Sequence, residues 1–289
     1  MENLKYYLKK AKEGGYAIPH FNFASAEQLR ALVEGFNVVY GETGEEVALM
    51  VGTSEGEANF LGYGQSRALV DVWKKETGLP IFLNADHHKS FASTQKAIDA
   101  GYDSVLIDLS KISIEENISV TKNVVKYMRD KNIDGVVEGE LGYMRGSSEI
   151  QESIEISEDD FTKPIDAEKF VDETRVNSLA VAIGNIHGIT TKQKMELDIN
   201  LLERIVDRVD AFVVLHGGSG LSNEDFKKAI DVGVSNIHIN TEIRIAYRRG
   251  IEEIFESDKK VVTPYKYLDN AVKKMRNVVV ERSRLFLGI

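Results

Sequence analysis

The six histidines of this chain are its most informative residues, because each lies in or directly after a short apolar run. They are His20, His87, His88, His187, His216 and His238. Two acidic residues, Glu138 and Glu140, end another such run. A single histidine in this setting is usually a hydrogen-bonded structural residue, and His20, beside Pro19 within its run, fits that role best. Three or four imidazoles converging with a carboxylate instead indicate a metal site, because Zn²⁺ prefers these ligands.

Eight apolar runs alternate with longer helical patterns and predict the elements that position these residues. The runs are 16–22, 46–52, 80–86, 103–108, 134–140, 178–185, 211–217 and 236–240. They lack strict alternation, as expected for parallel strands buried on both faces. We therefore predict an α/β fold, a TIM (β/α)8 barrel with residues 1–289 in a single domain and extra terminal helices. A doubly wound sheet is the second choice, weakened by the absence of GxGxxG after the first run.

The composition excludes several classes of protein and site. The 289 residues include no cysteine, so disulfides, thiolate catalysis and cysteine-based zinc sites are excluded. A formal net charge of −10 argues against nucleic-acid binding, which needs clustered Lys and Arg. The mean hydropathy is −0.23, and no apolar stretch approaches the roughly 20 residues that cross a bilayer. The N-terminal helical pattern lacks a signal-peptide core, so we expect no membrane association and a cytoplasmic protein.

Glycines directly after two of the histidines predict a site for a small anionic ligand. LHGGSG (215–220) and NIHG (185–188) let backbone N–H groups approach a ligand, and Ser219 adds a hydroxyl. A simple turn is the alternative explanation. The polar segment 143–164 predicts a long, partly mobile loop that could act as a lid or a substrate-binding element. A plain surface insertion is almost equally consistent with it.

A set of motifs between about Ala17 and Tyr247 carries a family resemblance. The motifs are HFN (20–22), TSEG (53–56), ADHH (85–88), LIDLS (106–110), EENI (115–118), EGELG (138–142), AVAIGNIHG (180–188), LHGGSG (215–220) and the NT within INTE (239–242). With them the chain resembles the class II, metal-dependent fructose-bisphosphate and tagatose-bisphosphate aldolases. The resemblance implies a TIM barrel and a catalytic Zn²⁺, for which another divalent transition metal could substitute. It also implies cleavage of a phosphorylated ketose to dihydroxyacetone phosphate and an aldehyde through a zinc-stabilised enediolate.

The resemblance also implies roles for individual residues. His87, Glu140, His187 and His216 would bind the metal, with Glu138 as the alternative to Glu140, and Asp86 would be the catalytic proton carrier. Substrate-binding positions would be Asn22, Ser54, Gly188, Gly217, Ser219, His238, Asn240 and Thr241. Because an aspartate at its usual pKa of about 4 is a poor base at neutral pH, we expect burial to raise the pKa of Asp86.

Several positions depart from the family pattern, and they concern the substrate more than the metal. The last strand reads His238-Ile239-Asn240-Thr241 where the family has Asn-x-Asp-Thr. In MRGSSE, Ser147 and Ser148 occupy the positions of an acidic pair, which Glu149 could replace only through a register shift. Lys192 comes one residue later than the family's lysine. The departures leave two alternatives open, namely a metal-dependent lyase for a different carbonyl substrate and a non-catalytic sugar-phosphate-binding homologue.

His88 stands where the family usually has glycine. Strand alternation would turn Asp86 and His88 to one side and His87 to the other, unless the strand ends there. His88 could then either support a neighbouring residue or contact substrate. A Schiff-base aldolase is disfavoured, because none of the eight apolar runs contains a lysine.

The C-terminal region, from Tyr247 onward, predicts helices that close the barrel. Its apolar faces and the resemblance together predict a homodimer or homotetramer, with packing against the same chain as the alternative. Arg244, Arg248 and Arg249 follow the last strand, and one of them could reach a second phosphate. A solvated helix face explains each of them equally simply.

Overall fold

A closed barrel of eight parallel strands forms the centre of the computed structural model, which describes residues 2–44 and 46–289. The barrel strands are β1 (Ile18–Asn22), β2 (Leu49–Ser54), β3 (Ile81–His88), β4 (Ser104–Ile107), β5 (Val136–Leu141), β7 (Ser178–Val181), β9 (Phe212–Leu215) and β10 (Val234–Ile239). Their order around the barrel is β1-β10-β9-β7-β5-β4-β3-β2. The predicted TIM barrel is therefore confirmed, and the doubly wound sheet is excluded.

Eleven α-helices among the described residues accompany the strands. They are α1 (Leu4–Gly14), α2 (Ala26–Thr43), α3 (Glu55–Leu61), α4 (Tyr63–Thr77), α5 (Phe91–Asp99), α6 (Ile114–Asp130), α7 (Pro164–Thr174), α8 (Ile199–Val206), α9 (Asn223–Val232), α10 (Thr241–Ser257) and α11 (Pro264–Leu287). Serine caps begin several of them; the hydroxyls of Ser90, Ser113 and Ser222 each accept a hydrogen bond from the first turn. None of these helices is both long and apolar enough to cross a membrane.

The N-terminal helix α1 lies across the end of the barrel at which the strands begin. Asn3, its N-cap, donates a hydrogen bond of 2.7 Å to Asp134, which precedes β5. Tyr7 donates to Glu46, which precedes β2, and its ring packs 5.5 Å from that of Phe82 at the start of β3. These contacts cover the end of the barrel at which the strands begin.

Two further strands form a small parallel sheet outside the barrel. They are β6 (Gly146–Gln151) and β8 (His187–Thr190), and their register pairs Gly146 with His187 and Ile150 with Ile189. The segment 143–164 is therefore not the irregular loop that its composition predicts. It contains β6 and a short 3₁₀ turn, and Arg145 forms an ion pair of 2.6 Å with Asp160 inside it.

The terminal helices α10 and α11 pack so closely that glycine is required at their contact. A Cβ atom at Gly250 of α10 would lie 2.4 Å from the Cα of Ala271 in α11, which is backbone and cannot move aside locally. In an exposed helix, replacing glycine by alanine is normally stabilising by about 1 kcal/mol. At this contact the steric overlap reverses the sign.

We expect Gly250→Ala to lower the free energy of unfolding by about 1–3 kcal/mol, the usual cost of an overpacked contact. Gly41, in α2, is the matched control, because a Cβ there meets no atom within 4 Å. Gly41→Ala should be neutral or stabilising by up to about 1 kcal/mol. Urea unfolding of the two variants measures both values, and an unchanged stability of Gly250→Ala would contradict this account of the helix contact.

Candidate active site

Polar side chains lie together at the end of the barrel where the strands terminate, because they end or directly follow the apolar runs. Asn22 is the last residue of β1, Asp86 and His87 lie among the last three residues of β3, and His216 directly follows β9. The position of His187 in the sequence predicts that it ends a barrel strand. Instead it is the first residue of β8, six residues after the end of β7. These side chains border an inner cavity, which is also lined by Gly217, Thr241 and their neighbours.

A bulge at the end of β3 brings Asp86 and His87 to the same cavity. The ladder with β4 pairs Ala85 with Val105 and then His88 with Ile107, so two residues of β3 face one of β4. His87 has a φ of 46°, an unusual value for a residue other than glycine. The bulge thus removes the strict alternation that would have turned these two side chains apart.

His88 leaves the cavity and packs against α4. Its side chain is buried, and Nε2 lies 3.2 Å from the hydroxyl of Tyr63. Burial lowers its pKa, so the ring is neutral at physiological pH. Of the two roles that the sequence left open for His88, the structure favours support of neighbouring residues over contact with substrate.

Three imidazoles and two carboxylates form two overlapping groups with the separations of metal ligands, His87 with His187 and Glu140, and His87 with His216 and Asp86. The ring of His87 is 4.7 Å from the ring of His187 and 4.7 Å from that of His216. One nitrogen each of His87 and His187 and one oxygen of Glu140 lie within 4.8 Å of one another. Burial lowers the pKa of His187 to about 3, which keeps its imidazole neutral, the form that binds metals.

The two glutamates of β5 differ in their partners. Glu138 Oε1 accepts a hydrogen bond of 2.7 Å from His216 Nε2 and so orients that ring. Glu140 Oε2 is buried, lies 3.1 Å from His87 Nδ1 and makes no hydrogen bond. Burial raises the pKa of Glu140. A buried carboxylate oxygen that makes no hydrogen bond and lies beside the His87 imidazole fits a metal ligand, which favours Glu140 over Glu138 in that role.

Both oxygens of Asp86 are occupied by neighbouring polar groups. Asn22 Nδ2 donates a hydrogen bond of 2.9 Å to Oδ2, and His238 Nδ1 lies 3.2 Å from Oδ1. Burial would raise the pKa of this carboxyl, but His87, His238 and His216 together lower it well below its usual range. The expected rise in the pKa of Asp86 is therefore wrong, because nearby imidazoles outweigh burial.

His238 is held from two further sides. Its ring stacks on that of His20 with centroids 3.5 Å apart, and its Nε2 lies 2.7 Å from the amide oxygen of Asn236. His20 is wholly buried and lies 3.2 Å from the amide nitrogen of Asn84 through Nε2. This environment agrees with the structural role predicted for His20, and it fixes the orientation of His238 beside Asp86.

Glycines form the wall of the inner cavity beside the imidazoles. Gly188 and Gly217 have φ values of 96° and 63°, and a Cβ at either would lie within 2.3 Å of a backbone oxygen. No other residue fits these positions. Ser219 and Thr241 line the same cavity, and Thr241 begins the 17-residue helix α10. The predicted substrate positions other than Ser54 therefore converge on one cavity.

A larger outer cavity of about 630 Å³ adjoins the inner one and contains Ser54. Ser147 and Ser148 line it, whereas the exposed Glu149 and Lys192 do not. Among the three arginines after β10, only Arg244 lines this cavity. Arg248 pairs with Glu252 on the surface of α10, and Arg249 borders a separate groove.

Two residues at the site were not identified from the sequence. Asp108, directly after β4, lies 3.2 Å from His87 Nδ1. Glu57, in the first turn of α3, accepts hydrogen bonds from Asn22 and Arg244. The position of Asp108 at the end of a strand was an available signal. Glu57, three residues after Ser54, has the spacing of an ordinary helix cap.

Comparison with known proteins agrees with this geometry. The family model described as fructose-bisphosphate aldolase class-II matches residues 2–288. A fructose-bisphosphate aldolase of Staphylococcus epidermidis is 32% identical over 98% of this chain and 96% of its own length. One from Staphylococcus aureus is 31% identical over the same shares. The crystal structure of the YdjI aldolase from Escherichia coli K12 superposes with a TM-score of 0.82 at 26% identity, covering 99% of this chain and 97% of that one.

These matches extend over nearly the whole chain, and several of the motifs that carry the resemblance, HFN, ADHH, NIHG, LHGGSG and NT, contribute residues to the inner cavity. The family consists of metal-dependent aldehyde-lyases that act on phosphorylated sugars. The chain belongs to the class II fructose-bisphosphate aldolase family.

Proposed function

We propose that the chain cleaves a phosphorylated ketose, fructose 1,6-bisphosphate or a related compound, to dihydroxyacetone phosphate and an aldehyde. The observation that carries the proposal is the position of Asp86, whose Oδ1 lies 3.8 Å from both His87 Nε2 and His216 Nδ1. A proton acceptor and candidate metal ligands therefore share one cavity. The names of the Staphylococcus relatives support the same reaction.

We propose that His87, Glu140, His187 and His216 hold a divalent transition metal, with Zn²⁺ as the first candidate. The buried Glu140 Oε2, which makes no hydrogen bond, the neutral His187 and the lack of cysteine all fit such an ion. When bound, the metal would supply Lewis acidity toward the ketose carbonyl. The carboxylates of Asp86 and Glu140 raise the pKa of His87 despite its burial, so metal binding there releases a proton.

Asp86 is the proposed acceptor of the proton from the C4 hydroxyl during cleavage, and its donor during condensation. Its depressed pKa keeps the carboxylate ionised but makes it a weaker base, so the role proposed for it depends on its position beside the reacting hydroxyl. Asn22 and His238 hold its two oxygens, which restricts rotation of the carboxylate. Such positioning accounts for a large part of the rate in enzymes that juxtapose reacting groups.

The inner cavity suits a phosphate next to the reacting carbons. Gly188 and Gly217 allow close approach of the backbone, Ser219 and Thr241 add hydroxyls, and the N-terminus of α10 favours negative charge. The rest of the substrate would extend into the outer cavity. There Ser147 and Ser148 take the place of the family's acidic pair. Because of this change, we propose a related ketose phosphate as a substrate on an equal footing with fructose 1,6-bisphosphate.

The reaction is tested by measuring dihydroxyacetone phosphate release from phosphorylated ketoses with and without a chelator. The panel should contain fructose and tagatose bisphosphates and several ketose 1-phosphates. We expect release from at least one ketose, abolished by chelation and restored by Zn²⁺. If the metal-loaded protein releases it from none of them, a different carbonyl substrate or a binding function replaces the proposal.

The metal assignment is tested by His187→Ala with His88→Asn as the matched control. Both histidines are largely buried at the same end of the barrel, but only His187 faces Glu140 and His87. We expect His187→Ala to lose stoichiometric metal and His88→Asn to retain it, as measured by elemental analysis after dialysis. Equal metal content in the two folded variants would contradict the assignment.

The role of Asp86 predicts a variant that binds metal but does not turn over. Asp86→Asn keeps the shape of the side chain and removes its ability to accept a proton. We expect kcat to fall by about 10²–10⁴-fold, the usual contribution of a general base. Metal content should stay at the wild-type level, and Asp134→Asn, on the exposed floor of the barrel, should keep its activity. A fall of less than tenfold for Asp86→Asn would assign proton transfer elsewhere.

A further inference from the structure

Glu57 is a buried carboxylate with more partners than its position in the helix explains. Its side chain is 10% exposed, and it lies in the first turn of α3. With Ser54 it forms a capping box, in which Oε2 accepts from the Ser54 N–H at 2.8 Å. Asn22 donates to the same oxygen at 3.0 Å, and Arg244 donates to Oε1 at 2.6 Å. A cap alone requires neither contact.

The orientation of the Asn22 amide follows from these contacts. Its Nδ2 lies between two carboxylates, 3.0 Å from Glu57 Oε2 and 2.9 Å from Asp86 Oδ2. Ionised carboxylates only accept hydrogen bonds, so the atom between them must be the NH₂ group. Without the carboxylate of Glu57, Asp86 would be the one remaining carboxylate acceptor for this nitrogen, and the amide plane could rotate about that single hydrogen bond.

The same orientation leaves the amide oxygen of Asn22 without a hydrogen bond. Oδ1 is buried and makes no hydrogen bond with the described residues, while Asn22 lines the inner cavity. A buried acceptor without a partner is costly, and a ligand hydroxyl would satisfy it. Glu57 therefore acts on Asn22 through the amide nitrogen, the same atom that donates to Asp86.

Arg244 fixes Glu57 from the opposite side. Its Nη2 donates to Glu57 Oε1, and its Nη1 donates at 3.2 Å to the carbonyl of Ser148 in β6. The positive charge offsets the cost of burying Glu57, and the planar guanidinium restricts the carboxylate to one orientation. A continuous chain of contacts thus runs from β6 through Arg244, Glu57 and Asn22 to Asp86.

We propose that Glu57, held by Arg244, is a positioning residue that sets the Asn22 amide and thereby orients the Asp86 carboxylate toward the C4 hydroxyl. This inference rests on the proposed function, because it concerns the same proton transfer. It adds to that function two residues that do not touch the reacting atoms. It also predicts that their loss impairs cleavage of the carbon–carbon bond selectively.

Glu57→Gln tests the proposal, because glutamine retains the size of the side chain but must turn an NH₂ group toward Asn22, Ser54 or Arg244. Glu116→Gln is the matched control. Glu116 occupies the same third helical position behind a serine cap, Ser113, but it is exposed and lines neither cavity. Kinetics are measured on metal-loaded protein with the best ketose, together with exchange of the C–H proton of dihydroxyacetone phosphate.

We expect Glu57→Gln to lower kcat by about 10–100-fold, the effect of displacing a reacting group by roughly 1 Å, with metal content unchanged. KM should change less than about threefold, so the loss falls on kcat. Exchange of the C–H proton should persist, because it does not involve the C4 hydroxyl from which Asp86 is proposed to accept a proton. Glu116→Gln should behave as wild type.

Arg244→Met is the second variant and leaves the capping box intact, so it tests the same contacts if Glu57→Gln fails to fold. We expect the same selective fall in kcat, of smaller size. The proposal is overturned if the folded, metal-loaded variants cleave within twofold of wild type, or if exchange and cleavage fall together. If the wild-type protein neither cleaves ketoses nor exchanges the proton, the proposed function itself fails.

Discussion

The carboxylates of Asp86, Glu138 and Glu140 are almost wholly buried at the open end of the barrel, with exposed fractions of 4%, 1% and 1%. An ionised carboxylate removed from water is strongly destabilising unless cationic or hydrogen-bonding groups replace the solvent. Each of the three has an imidazole within 3.2 Å, namely His238, His216 and His87 respectively. The clustering of histidine at strand ends is thus a physical condition for burying these acids, as well as the basis of the proposed metal site.

The barrel itself was predictable, because strands buried on both faces produce apolar runs of characteristic length and spacing. The predicted runs and the observed strands agree to within a few residues at most ends. The largest difference concerns His187, which lies beyond the end of β7 and pairs with a segment 41 residues earlier in the chain. Such a pairing between distant segments has no local signal. The bulge at His87 is equally invisible in the sequence, since it depends on the ladder between β3 and β4.

The candidate site shows where sequence reasoning is least reliable. The residues brought together in the inner cavity, from Asn22 to Thr241, are those that the family motifs indicated. The pKa of Asp86 was predicted in the wrong direction, because burial can be inferred from a sequence but the number of imidazoles around one carboxylate cannot. Glu57 was overlooked for a related reason. Its local spacing explains one of its hydrogen bonds completely, and the others come from β1 and α10.

The small sheet outside the barrel links two regions that would otherwise be independent. His187 is the first residue of β8, its N–H donates at 2.8 Å to the carbonyl of Arg145, and its register partner is Gly146 of β6. A candidate metal ligand and a wall of the outer cavity therefore share one backbone ladder. Any opening movement of β6 large enough to admit a bulky ligand must either break that ladder or carry the His187 backbone with it. Access to the cavity and the geometry of the candidate metal site are therefore coupled through this ladder.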